Sequence, residues 1–340
     1  MGDGATPTIR LGARRSPLAR AQVEWVAERF ARQGIASTFV GVTTTGDVDL
    51  RHLTEIGGTG VFATAVRNAL HRGEIDVAVH SLKDLPTALA PELEIGAVPE
   101  REDTRDVLVG RRLDQLVDGD RIGTGAPRRA VQLLDWAEHR GLSLEIVPIR
   151  GNVDTRIEQV RTGAVDAVVL AAAGLRRLGH LPPSAGDEQN ASVKGLPSHV
   201  LGLDVMLPAP GQGALALEIH SSLSHDLRAA VAAIEDATAR VESSVERAFL
   251  ATLEAGCTAP VGARARVKSV RGTSLDLTLA AVIGRTLLSN LSEPTEAGPV
   301  LRLEADGRAV DPEQFGAAQA GRVLAQLRGY TSTSGHPSEP

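Results

Sequence analysis

Cysteine is almost absent: Cys257 is the single one among 340 residues. An internal disulfide and a multi-cysteine metal site are both excluded, so this thiol is either an inert small hydrophobe or a reactive group. Aromatic side chains make up 2% of the chain, too few to build the stacking platforms that hold single-stranded nucleic acid. The net charge of −6 disfavours a generic surface for phosphate backbones. No run approaches the ~18 uninterrupted apolar residues of a membrane-spanning helix. The opening Met1-Gly2-Asp3-Gly4-Ala5-Thr6-Pro7 lacks the basic-then-apolar order of a secretory signal. The sequence predicts a cytoplasmic protein that engages neither membrane nor nucleic acid.

Lysine is scarce too: only Lys83, Lys194 and Lys268 stand among 36 basic residues. The arginine excess reads as compositional bias, so an arginine is informative only at a strand end beside a glycine. What the chain does have is length and 42% hydrophobic residues, enough for two or three packed domains.

Strand and helix patterns alternate from the start. Ile9 to Arg14 reads as a strand, and a helix from Pro17 puts Ala19, Val23, Val26 and Phe30 on one face. A strand near Thr38 to Thr43, a helix near Phe62 to His71, and strands at Ile75 to His80 and Leu93 to Pro99 follow. A second set has strands at Val107 to Val109, Leu144 to Ile149 and Val165 to Leu170, with helices between. Leu181 to Leu196 reads as an exposed loop, and strands at Leu203 to Leu207 and Ala214 to Ile219 return to the first sheet. From about His225 one long helix runs towards Glu254, then come strands at Ala263 to Val270, Leu275 to Val282 and Val300 to Ala305, and a helix near Phe315 to Leu327. The pattern predicts an α/β protein: a discontinuous first domain (1–102 and 201–220), a second (103–200), a smaller α+β third domain (221–330) and a disordered tail (331–340).

Three groups of residues could carry chemistry. His80-Ser81-Leu82-Lys83-Asp84-Leu85-Pro86 follows an apolar strand, and the carboxyl ends of strands in open α/β sheets are where such folds bind ligands; a solvated ion pair is the plainer reading. Arginines cluster beside turns at Arg14-Arg15-Ser16, Arg128-Arg129, Arg150-Gly151-Asn152 with Arg156, and Arg176-Arg177. There guanidinium forks and helix N-terminal amides could converge on carboxylates, against the alternative of scattered surface charge. Glu254-Ala255-Gly256-Cys257 places the thiol on a loop after a helix, accessible for attack on an electrophilic carbon. Gly57-Gly58-Thr59-Gly60 lacks the Lys-Ser/Thr ending of a phosphate loop, and Gly211-Gln212-Gly213 reads as a tight turn first.

Taken in order, Arg14-Arg15-Ser16-Pro17-Leu18-Ala19, Gly57-Gly58-Thr59-Gly60-Val61-Phe62, His80 to Pro86, Arg150-Gly151-Asn152-Val153-Asp154-Thr155-Arg156, Ala173 to Gly179, Pro210-Gly211-Gln212-Gly213 and Glu254 to Cys257 resemble the hydroxymethylbilane synthase (porphobilinogen deaminase) family. The resemblance runs from about residue 9 to 262. It implies two α/β domains like a type-2 periplasmic binding protein, with the active site in their cleft, and a smaller α+β C-terminal domain. It also implies a transferase of tetrapyrrole (porphyrin and haem) biosynthesis, monomeric and without a metal. A dipyrromethane cofactor would be joined through a thioether to Cys257. Four porphobilinogens would then be added in turn, each losing ammonia, before hydrolysis releases hydroxymethylbilane.

Carried over by motif position, Asp84 is the catalytic aspartate, with Lys83 beside it. Asp84, Lys83, Arg128, Arg129, Arg150, Arg156 and Ser16 contact the cofactor, and Arg14, Ser16, Arg150, Arg156 and Arg177 the substrate. Planar guanidinium forks suit the acetate and propionate groups of such a chain. Where many members carry Gly-Thr-Ser-Ser, this chain has Gly123-Thr124-Gly125-Ala126, which removes two hydroxyls. Family basic residues are replaced by Thr45, Glu55 and Thr59. Hinges fall near Glu100 to Asp103 and Val200 to Leu203. Three other readings compete: a diverged paralogue dedicated to a specialised pathway, which these departures would fit; an anion-binding protein of the same fold without catalysis, which would have no use for the thiol loop; and a cysteine hydrolase, which lacks a placed base and orienting acid.

Overall fold

Helix α1 (Pro17–Arg32) shows how local signals build the fold. Ser16 caps it, its hydroxyl accepting from Ala19 N, and Pro17 fills the first turn. Its inner face buries Val23, Val26 and Phe30 to 1% exposure or less, each side chain contributing roughly 1.5–3 kcal/mol. The structure is a computed structural model describing residues 8–43, 60–88, 90–182, 191–253, 259–285 and 300–332. The described chain divides into two compact units: residues 1–104, 171–185 and 211–240 in the first, and 105–170, 186–210 and 241–340 in the second.

The first unit holds a five-stranded sheet built from β1 (Ile9–Arg14), β2 (Ser37–Val42), β3 (Val77–Ser81), β4 (Leu93–Ala97) and β11 (Leu215–His220), in the order β2-β1-β3-β11-β4. β1 pairs in parallel with β2 and β3, and β11 runs antiparallel to β3 and β4. Helix α1 and β11 share one core with β1 and β3 through Phe30, Leu11, Val79 and Leu217. Helix α2 (Gly60–His71) packs Val66 and Leu70 with Ile75 and Ala78 in a separate cluster.

The second unit holds a six-stranded sheet, β7-β6-β8-β5-β10-β9. Its strands are β5 (Asp106–Val109), β6 (Arg121–Gly123), β7 (Glu145–Val147), β8 (Ala167–Ala171), β9 (Ser192–Val193) and β10 (Leu196–Val200). Helices α3 (Pro127–Glu138) and α4 (Val153–Arg161) follow β6 and β7; the short α5 (Ala172–Arg177), next after β8 in the chain, belongs to the first unit. Near the C-terminus an antiparallel sheet, β12 (Val261–Arg271), β13 (Ser274–Gly284) and β14 (Val300–Ala309), is covered by α7 (Ala237–Thr252) and α8 (Pro312–Ser332) through Phe249, Phe315 and Val323. Arg302 of β14 pairs with Asp135 of α3 at 2.9 Å.

Three sequence expectations are corrected. Leu203 to Leu207 is a turn: Val205 N and Met206 N both donate to Gly202 O, and the Gln132 side chain grips Leu207 by both N and O at 2.8 and 3.1 Å, doing what a neighbouring strand would have done. The long helix from His225 is two helices, α6 (His225–Ala232) and α7, broken at 233–236 where Asp236 N donates to Val98 O and the Asp236 carboxylate caps the second helix at Ala239 N. The end of the expected loop at Leu181 to Leu196 forms β9, which pairs with β10. Thr45, Glu55, Thr59, Cys257 and residues 333–340 lie outside the described residues.

Candidate functional site

In the first unit, the strand-end residues are fixed from behind and open in front. Lys83 and Asp84 sit in a one-turn 3-10 helix (Leu82–Asp84) directly after β3. Leu82 and Leu85, 1% and 2% exposed, anchor it on either side, and Asp84 is exposed. Lys83 Nζ donates to Gln212 Oε1 at 3.2 Å. Gln212 is itself fully buried; its Nε2 donates to Thr104 O at 2.8 Å and its carbonyl accepts from Arg101 Nε at 3.0 Å. The flanking Gly211 and Gly213 have φ of 76° and 86°, and a Cβ on Gly213 would lie 2.3 Å from Glu102 O, so this tight turn requires glycine. The turn was legible in the sequence; its grip on Lys83 was not.

Behind the same strand lies a buried charge cluster that sequence reasoning missed. Glu218, 2% exposed, accepts from Nε and Nη2 of Arg67 (2.8–3.1 Å) and lies 3.2 Å from His80 Nε2. Burial alone would raise its pKa, but the hydrogen bonds from His80 and Arg67 outweigh this and hold it below the ordinary carboxylate value. On the neighbouring helix, Gln22 donates to Ser81 Oγ at 2.8 Å. Arg14 and Ser16 stand half-buried where β1 gives way to α1, a strand exit beside that of β3.

Arg177, at the end of α5, donates to Gly213 O at 2.8 Å, and among the described residues no carboxylate pairs with it. Burial lowers its pKa to about 10, with Glu102 opposing and Arg29 adding, so it keeps its charge at neutral pH. Its neighbour Arg176 is spent internally on Asp103 at 2.6 Å and Glu102 at 3.4 Å.

In the second unit, Arg128 and Arg129 open α3 but do not face solvent as surface arginines would. Both are buried on Asp106, itself 0% exposed: Arg128 Nη2 is 2.8 Å from Oδ2, and Arg129 Nη2 is 2.7 Å from Oδ1. Arg128 also donates to Leu207 O at 2.5 Å and Arg129 to Val169 O at 2.8 Å. Two guanidiniums on one carboxylate leave one positive charge in excess. No sequence motif marked Asp106 as their partner. Ala126 caps this helix without a side-chain bond, and a Cβ on Gly125 would meet Ile149 O at 2.7 Å. Arg150 is exposed after β7, and Arg156 is half-buried on α4, its Nε donating to Gly151 O at 2.9 Å. Asn152 caps α4, its side chain accepting from Thr155 N.

Comparison with known proteins gives the cluster a family. Residues 9–227 match the model of the porphobilinogen deaminase dipyrromethane cofactor binding domain, and residues 241–298 that of the porphobilinogen deaminase C-terminal domain. A protein named porphobilinogen deaminase 1 from Streptomyces coelicolor is 49% identical over 296 residues, covering 86% of this chain and 88% of the relative. A porphobilinogen deaminase from Nocardia farcinica is 42% identical over 330 residues, covering 96% and 87%. Among solved structures, the methionine binding protein MetQ (12% identity, TM-score 0.39) spans 67% of this chain and 89% of its own. A periplasmic substrate-binding protein from Coxiella burnetii (15% identity, TM-score 0.38) spans 70% and 96%. The motifs at the strand ends, the two family domains and the near-full-length relatives agree, and the chain belongs to the porphobilinogen deaminase family.

Proposed function

We propose that Asp84 is the catalytic carboxylate of a hydroxymethylbilane-forming reaction and that Cys257 anchors the dipyrromethane. When bound, that group supplies the pyrrole carbon to which incoming porphobilinogen is joined. The described residues fit a group of this kind. Its acetate and propionate arms need cationic, planar donors, and the chain presents the excess charge of the Asp106–Arg128–Arg129 cluster, the half-buried Arg177, Arg14 and Arg150 after their strands, and Arg156 on α4.

In this reading Arg128 and Arg129, with Arg150, Arg156, Ser16 and Lys83, hold the cofactor's carboxylates, and Arg14, Ser16, Arg150, Arg156 and Arg177 those of porphobilinogen. Asp84 stabilises the positive charge that develops on pyrrole nitrogen as ammonia leaves and the next ring attacks. Lys83 is a neighbour fixed by Gln212, so its ammonium stays in place beside the carboxylate. The observation that carries the assignment is the exposure of Asp84 on a turn whose every other anchor is buried. The protein acts as a cytoplasmic monomer, with hinges near Glu100 to Asp103 and Val200 to Leu203. Among the described residues no helix is long and apolar enough to cross a membrane.

The test is the intact mass of the purified protein beside a porphobilinogen-consumption assay. Wild type is expected to carry the mass of one dipyrromethane and Cys257→Ser to lack it; Asp84→Asn is expected to keep the adduct and lose most turnover. An adduct that persists in Cys257→Ser moves the anchor elsewhere, and full activity in Asp84→Asn removes Asp84 from the chemistry.

A further inference from the structure

Apart from the residues given roles in that reaction, the first unit gathers metal-ligating side chains from three elements. His71 ends α2, His220 ends β11, and Glu92 stands in the turn before β4. One ligand atom from each lies within 4.8 Å of the others, and His220 Nε2 is 3.7 Å from Glu92 Oε2. At metal–ligand distances of about 2.1 Å, two tetrahedral ligands stand roughly 3.4 Å apart, so a few tenths of an ångström closes the pair. The two imidazoles meet edge to face, centroids 5.4 Å apart and planes at 84°. Two imidazoles bound through nitrogen to one tetrahedral ion place their centroids roughly 5.2 Å apart. The ring spacing is therefore compatible with one shared ion, with the ligand atoms, within 4.8 Å of one another, drawing together on binding.

The surroundings favour the same occupant. His220 Nδ1 lies 2.7 Å from Ser222 Oγ, with the Ser222 N–H also directed at it at 3.1 Å. In the structure Nδ1 accepts from that N–H; metal on Nε2 would move the ring proton to Nδ1, where the Ser222 hydroxyl can accept it and the backbone N–H has to turn away. Glu92 is held in the left-handed region, φ 60°, uncommon for a residue with a side chain, and its carbonyl accepts from Ser221 N at 2.8 Å. His71 occupies a helix C-terminus, where the macrodipole favours a cation. The neighbouring guanidiniums are engaged, Arg72 by Glu74 and Arg228 by Glu94.

We propose that His71, Glu92 and His220 form a site for a divalent ion of the zinc class, with the fourth position open to water. Two imidazoles and one carboxylate suit zinc over the oxygen-seeking magnesium and calcium. β11 runs antiparallel to β3, so His220 lies at the strand end opposite the Lys83–Asp84 turn. An ion there joins α2, β11 and the approach to β4 as a structural tie, separate from the reaction.

The experiment is calorimetric titration of the tag-free, full-length protein with zinc chloride, alongside thermal melts with and without zinc. One equivalent of zinc is expected to bind and raise the melting temperature. His71→Ala and His220→Ala should each weaken binding at least tenfold with porphobilinogen turnover unchanged. His225→Ala, at an exposed histidine outside the cluster, should bind as wild type does, and Cys257→Ser, which removes a competing thiol, should keep the equivalent. Binding that survives both histidine changes, binding lost in Cys257→Ser, or no binding at millimolar zinc overturns the site. Circular dichroism of each variant separates lost binding from lost fold.

Discussion

The two units solve the same problem, a charged group at a strand exit, in opposite ways. In the first, the Lys83–Asp84 turn is anchored by its apolar neighbours and by Gln212, and the carboxylate is left exposed. In the second, the carboxylate of Asp106 is the buried part, and it immobilises the two arginines at the start of α3. An exposed carboxylate can serve chemistry at little structural cost. A buried one sets the position of its partners, and its removal is felt by the whole unit. Residues of similar type at similar places thus divide into those that act and those that hold.

Substitutions of the two carboxylates sharpen that contrast. Asp84→Asn should reduce turnover by about 10²- to 10⁴-fold, the range for a positioned acid–base group, while the melting temperature stays within error; a large thermal shift would mean that the turn depends on the carboxylate. Asp106→Asn should do the reverse first. Leaving two buried guanidiniums against a neutral amide costs about 3–5 kcal/mol, read as a lower urea midpoint, with adduct mass lost as a consequence.

Glu218 gives the contrast a pH signature. Its carboxyl is held below the ordinary value by His80 and Arg67 against the opposing effect of burial, so its contribution to stability is fully present above about pH 4.3, the ordinary glutamate value. That contribution is lost as pH falls through the lower folded value. The stability difference between wild type and Glu218→Gln should therefore be largest near neutrality and shrink on acidification; a difference that grows in acid would contradict the assignment.

The smallest effects concern the two missing hydroxyls. Ala126→Ser supplies the absent cap of α3 and should stabilise by about 1 kcal/mol. Gly125→Ser forces a Cβ to 2.7 Å from Ile149 O and should destabilise by about 1–3 kcal/mol. Equal melting temperatures for the two variants would show that the loop yields without cost.

Much of the fold was legible because its signals are local. The α1 face of Val23, Val26 and Phe30, its start at Pro17 and the alternation through β12 to β14 all follow from spacing within a few residues. What escaped depended on partners far along the chain. Leu207 looks like a strand residue until Gln132, 75 positions away, takes its N and O. The helix from His225 looks continuous until Asp236 bonds to Val98 O. In the site, the strand-end motifs marked Lys83, Asp84 and the arginines by type and place. Asp106 and Glu218 were silent, and Gln212 was marked only as part of a turn, because a buried partner is recognisable only once the fold puts it there.

The position of β11 also sets a schedule for folding. In the first sheet it lies between β3 and β4, and among the described residues it is the only strand with which β4 pairs. β4 ends at Ala97 and β11 begins at Leu215, so at roughly 5–20 residues per second on the ribosome the earlier strand waits about 6–24 s for its neighbour. Through that interval the edge of β3 and the whole of β4 lack the neighbour that separates them in the finished sheet, and the N-terminal third of the newborn chain depends on a segment not yet made.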